Sequence, residues 1–120
     1  MTFDWREYLE LAKELAGQVS SGYTQEAAQR SAVSRAYYAA FCWARNYAKA
    51  KLGFQPTRKS KDHSLLRDYL RRQGRLKLAS DLKKLSMWRN QCDYDNQVSN
   101  LTALVSNAMS LADKAIQTCR

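Results

Sequence analysis

The densest set of reactive side chains in this chain is Arg89, Asp93, Tyr94 and Asp95, in the stretch WRNQCDYDN from 88 to 96. A guanidinium at that place can neutralise the charge of a phosphoryl group, and a nearby carboxylate can accept a proton or hold the guanidinium in position. The same residues also suit a plain helix end, with Arg89 neutralised by Asp93 one turn on and nothing bound. Leu78, Leu82 and Leu85 precede Arg89 at helical spacing, so the guanidinium is expected to be partly buried and to need a partner. Asp93 is the nearest candidate for a bidentate pair, with Asp95 or a carboxylate of a second subunit as competitors.

A second group lies upstream in SAVSRAYYAAFCWARNYA, residues 31–48. Ser34, Tyr37, Tyr38, Phe41, Arg45 and Ala48 fall on one broad helical face, so polar groups share a surface with an aromatic ring. Two uses fit it. Either the tyrosines and small alanines let helices approach closely, with Arg35 paired to an acid, or the face binds a ligand.

The chain's single histidine, His63, stands in RKSKDHSLL at 58–66. It suits a surface or helix-start position, or a place in a cleft where imidazole could move a proton. Arg58 and His63 also form a literal Arg-x4-His, but in a basic loop and helix start rather than at a helix end.

Charge is concentrated around these residues. Of the net +9, the span from Arg45 to Asn90 carries 14 Lys and Arg against Asp62, Asp68 and Asp81, which is +11 and leaves −2 for the rest. Clustered cations favour a polyanion such as RNA, because neutralised phosphates release condensed counterions. A solvated helix face that keeps the domain soluble has the same composition.

The scaffold is expected to be all-α. With 120 residues, 45% of them hydrophobic, four glycines and one proline, one helical core is the natural solution and a single domain spans 1–120. No apolar run approaches the roughly 20 residues that cross a bilayer, and MTFDWREYLE carries acids where a signal peptide is apolar, so a cytoplasmic protein without membrane contact is expected. Cys42, Cys92 and Cys119 are far apart and one histidine is present, which argues for reduced thiols and no metal or other cofactor.

Periodicity and turn residues predict five helices. The first is capped by Thr2 or Asp4 and runs to about Gly17; the second is capped by Thr24 and ends near Leu52, before Gly53 and Pro56. A short third helix over 62–73 is capped by Ser60 or Asp62, a fourth runs from about Arg75 to Cys92, and a fifth from about Gln97 to Thr118. The long second and fifth helices are expected to pack near antiparallel against the first and fourth.

SRAYYAAFCWARNYA, DHSLL at 62–66 and RNQCDY at 89–94, in that order, resemble the HEPN superfamily of small helical proteins, the last as the R-x-x-x-D-Y variant of a stand-alone prokaryotic branch. The resemblance implies a four- to five-helix up-and-down bundle, usually a homodimer, with the arginine motif at a cleft along the dimer axis. Active members are metal-independent RNases in which the arginine offsets charge on the phosphoryl group and a histidine moves the 2'-hydroxyl proton.

Their signature is Arg, roughly four to six intervening residues, then His; counted from Arg89, those places hold Tyr94, Asp95 and Asn96. An unperturbed phenol, with a pKa of about 10, is a poor base at neutral pH. The resemblance therefore implies an RNA- or nucleotide-binding protein with a degenerate RNase motif, in a toxin–antitoxin or defence module, often beside a small nucleotidyltransferase partner. Its candidate contacts are Arg35, Tyr38, Arg45, Arg89, Asp93 and Tyr94. One alternative is a weak metal-independent RNase using Arg89 with His63, which corresponds to the family's histidine near the start of the third helix, or with a carboxylate. Another is a helical protein-interaction module for an acidic partner.

Overall fold

A computed structural model describes residues 2–120. The described residues form five α-helices: α1 (Arg6–Ala16), α2 (Gln25–Lys51), α3 (Asp62–Arg72), α4 (Leu76–Tyr94) and α5 (Leu101–Thr118). The all-α helical bundle expected from composition is present. No helix among them is long and apolar enough to cross a membrane.

The axis of the bundle is α2, which packs on all four other helices. Its sequence explains why. Ala28, Ala32, Ala36, Ala39, Ala40, Ala44 and Ala48 are all buried, and small side chains on several sides let neighbouring backbones come close while leaving helix propensity high. The larger volume comes from the neighbours: Leu9 of α1, Leu66 and Leu70 of α3, Leu78, Leu82 and Leu85 of α4, and Val105 and Ile116 of α5.

Thr24 caps α2 as expected, its hydroxyl accepting a bond from the Ala27 amide at 3.1 Å, an arrangement worth about 1 kcal/mol. At the other end Gly53 adopts φ +82°, and the Leu52 and Phe54 amides both reach back to the Ala48 carbonyl. The turn buries Phe54 against Tyr69.

Three helix starts differ from the sequence expectation. Trp5 occupies the cap position of α1 without a side-chain bond, while Asp4 accepts from the Arg6 amide and side chain instead. Lys61, not Ser60 or Asp62, precedes α3, because the Asp62 carboxylate turns back to hold Thr57 and Arg58. Helix α5 starts at Leu101 rather than near Gln97, since Asn100 takes φ +53°, a left-handed conformation that sets the direction of the helix. Arg30 pins the intervening turn by donating to the carbonyls of Cys92, Asp95 and Asn96.

Cys42, Cys92 and Cys119 are free and buried. Burial raises all three thiol pKa values, Cys92 to about 11 and Cys119 to about 12, so little reactive thiolate exists at neutral pH.

Candidate functional site

Helix α2 brings Ser34, Tyr37, Tyr38 and Phe41 against the start of α3 and the end of α4, and the two candidate catalytic residues meet there. His63 enters from the first turn of α3. Its ring stacks on Phe41 with centroids 4.2 Å apart, lies 5.6 Å from Tyr37 and meets Tyr38 edge-on at 6.0 Å. Arg89 enters from α4, its guanidinium carbon 5.3 Å from the centroid of Tyr37 and 5.4 Å from that of Tyr38. Residues 26 positions apart in sequence thus border the same two tyrosine rings.

The Tyr37 hydroxyl hydrogen-bonds Nδ1 of His63. Tyr37 is fully buried, and that burial pushes its pKa up to about 12, with Ser86, Arg67 and Arg89 pulling the other way. Burial also lowers the pKa of His63, assisted by Arg89 and Arg67 and opposed by Asp62. At neutral pH the pair is therefore a phenol and a neutral imidazole. A neutral imidazole beside a fixed guanidinium can accept a proton while the guanidinium offsets phosphoryl charge.

Arg89 is partly buried, as its spacing from Leu82 and Leu85 predicts, with 14% of its side chain exposed. The expected bidentate pair with Asp93 is not formed. One guanidinium nitrogen lies 3.6 Å from Asp93 Oδ2, beyond hydrogen-bond length, and Oδ2 also faces the Ser34 hydroxyl at 3.5 Å. The tyrosine faces hold the fork instead. As a result Arg89 Nε is buried with no hydrogen-bond partner, an orphan donor of the kind that buried sites rarely tolerate without a use.

Tyr94 is turned away. It is 75% exposed, and five residues from Arg89 correspond to roughly 140° around the helix, against about 40° for Asp93.

Tyr38 also lines a groove of about 360 Å³ between α1 and α2, together with Trp5, Tyr8, Arg35, Phe41 and Arg45. Arg35 does not have the acid partner expected for a structural arginine; among the described residues it makes no ion pair and sits over Tyr8 at 5.2 Å and Tyr38 at 5.4 Å. Arg45 lies near Trp5 and Phe41, at 5.7 and 6.0 Å. Tyr38 thus belongs to both groups: it lines the groove with Arg35 and Arg45, and its ring also borders His63 and Arg89. Flat rings flanked by guanidinium groups suit stacking of a planar base.

Two contributors escaped the sequence reading. Arg67 lies one turn after His63 on α3, and Ser86 nearly one turn before Arg89 on α4, so helical spacing from the residues already singled out would have found both. No group of three or more His, Cys, Asp and Glu side chains able to hold a metal ion occurs among the described residues.

No protein-family model matches the chain, and neither a curated protein nor a solved structure matches it.

Proposed function

We propose that the chain is an RNA- or nucleotide-binding protein of HEPN type, in which Arg89 contacts phosphate and the aromatic face of α2 contacts a base. The observation that carries this reading is the state of Arg89. Its guanidinium is held over Tyr37 and Tyr38, its carboxylate contact is loose, and Nε lacks a partner. A phosphate oxygen at the exposed part of the fork supplies the close counter-charge that Asp93, at 3.6 Å, does not.

A specific observation favours metal-independent RNA cleavage as the second reading. His63, neutral and fixed by Tyr37, borders the rings that hold Arg89, so it supports the proton-transfer role that the R-x-x-x-D-Y sequence lacks. Asp93 serves that role poorly, since a carboxylate next to the scissile phosphate repels it.

The test is a mixed RNA pool incubated with purified protein in EDTA, read for both retention and cleavage. Salt-dependent retention without cleavage is the result expected of a binding protein. Cleavage that disappears in both His63→Ala and Arg89→Ala establishes the nuclease reading. Neither retention nor cleavage returns the basic surface to a role with an acidic protein partner.

The HEPN resemblance extends this proposal to a homodimer, to a toxin–antitoxin or defence setting and to a nucleotidyltransferase as protein partner. Most aromatic residues pack within the single chain; Phe3, Tyr23 and Tyr94 are the exposed ones. Leu11, Val19, Leu65, Leu76 and Met87 are exposed as well, and light scattering should give about twice the chain's 13.8 kDa.

A further inference from the structure

Arg58, which with His63 spells Arg-x4-His, belongs to a different place. It lines a cleft of about 300 Å³ between the end of α2 and the loop that follows, together with Arg45, Asn46, Lys49, Pro56 and Asp62. Three cations and one carboxylate face this space.

The carboxylate is already engaged. Asp62 is only 4% exposed, and it accepts the Thr57 amide at 3.0 Å on each oxygen, the Thr57 hydroxyl at 2.6 Å and the Arg58 amide at 2.9 Å. Burial works against the charged form, yet these bonds, together with the charge of Arg45, prevail and leave its pKa below the ordinary value. No ion pair within 4.0 Å is made by Arg45, Lys49 or Arg58 among the described residues, whose pairs involve other cations. Arg45 spends only Nε, on the Asn46 side chain at 3.2 Å.

The backbone adds an independent sign. Arg58 has φ +65°, a left-handed conformation that glycine adopts freely and arginine does not. The Asp62 bond to its amide holds it there. A side chain placed by an unfavourable turn into a cleft with two other cations, against one carboxylate already engaged by the loop, points to a ligand.

We propose that this cleft is an anion site for a phosphate group, separate from the Arg89–His63 cluster, with Arg58 and Lys49 contributing charge from its exposed edges and Arg45 from within. Arg45 lines both this cleft and the aromatic groove beside Tyr38, so one strand can place a phosphate in the first and a base in the second. The strand assignment rests on the proposed RNA-binding function; the phosphate assignment does not. A free or terminal phosphate and a backbone diester share this chemistry.

The experiment follows amide NMR shifts of residues 45–62 during titration with pyrophosphate and, separately, with a 5'-hydroxyl oligoribonucleotide. Arg58→Gly and Lys49→Gln are the variants. Glycine relieves the left-handed strain, so Arg58→Gly should fold at least as well as the parent, and Lys49 is exposed on a helix, where glutamine is well tolerated.

Saturable shifts in the wild type are expected, with about tenfold weaker binding in Arg58→Gly, the loss of one charge-assisted hydrogen bond. For the oligoribonucleotide the salt slope should become shallower by about 0.7 for each phosphate that is no longer neutralised. Response to pyrophosphate alone assigns a free or terminal phosphate, and response to the oligoribonucleotide alone assigns a diester.

Silent amides with both probes overturn the site, as does wild-type affinity in both variants. RNA retention that survives Arg58→Gly and Lys49→Gln but fails in Arg89→Ala removes the strand assignment and leaves the proposed function standing. Pyrophosphate binding at the cleft in a protein that retains no RNA keeps the phosphate assignment and overturns the proposed function.

Discussion

The Tyr37 hydroxyl meets Nδ1 of His63 across the boundary between α2 and α3, and this bond fixes the orientation of the only imidazole in the chain. The tyrosine can do so because burial keeps it a phenol, with a pKa pushed up to about 12. Replacing Tyr37 by Phe retains the ring against Phe41 and removes the bond. Stability should fall by about 1 kcal/mol, the usual net value of such a bond, seen as a lower urea midpoint with an unchanged slope. On the nuclease reading, cleavage should fall further than RNA retention. Equal loss of both would make Tyr37 a packing residue only.

The same pocket makes stability depend on pH in a defined direction. Burial, then Arg89 and Arg67, hold the His63 pKa below its ordinary 6.5, with Asp62 opposing. The unfolded chain therefore takes up the proton more readily than the folded one. The contribution is complete above 6.5 and is lost as pH falls through the folded-state value. Urea titrations at pH values from about 7.5 down to about 5 should show this decline, and His63→Gln should remove part of it. An identical pH profile in His63→Gln would place the sensitivity elsewhere.

Local pattern made most of this fold legible. Alanines at helical spacing in α2 and leucines in α4 mark faces whose burial follows from periodicity alone, and the partial burial of Arg89 follows from Leu82 and Leu85. What could not be read depends on partners distant in sequence. The start of α5 is displaced because Arg30, more than sixty positions away, holds the carbonyls of Asp95 and Asn96. The bidentate Arg89–Asp93 pair fails because Tyr37 and Tyr38, on another helix, offer the guanidinium their faces. Likewise, the Asp62 cap gives way to a loop clamp that only the folded turn at Thr57 and Arg58 can present.

The basic surface gives a prediction independent of the Arg89 cluster. Arg71, Arg72 and Arg75 are exposed, with Arg71 paired to Asp68 at 2.7 Å. Neutralising all three should leave the fold intact, because exposed pairs contribute about 0–1 kcal/mol. RNA affinity should fall and its salt dependence flatten. Filter binding across a salt series measures both, and an unchanged slope would assign these arginines to solubility.

Arg89 separates architecture from ligand binding most sharply. Removing it as Arg89→Ala strips the cation from both tyrosine faces and leaves Asp93 without its counter-charge. The pair is loose and Asp93 remains 29% exposed, so the cost should be about 1–3 kcal/mol, between the surface and buried limits. Arg89→Lys keeps the charge over Tyr37 and Tyr38 but loses the planar fork and the Nε donor. If the residue serves the bundle, lysine should restore most of the stability and RNA retention should follow stability. If it grips phosphate, lysine should restore stability while retention stays low, because a point charge cannot reproduce the bidentate geometry. Tyr94→Phe is the control. Its exposed ring lies well around the helix from Arg89, so stability should stay within about 0.5 kcal/mol of the parent and retention should not change. Retention that survives Arg89→Lys in full, with stability intact, would reduce WRNQCDYDN to a helix end.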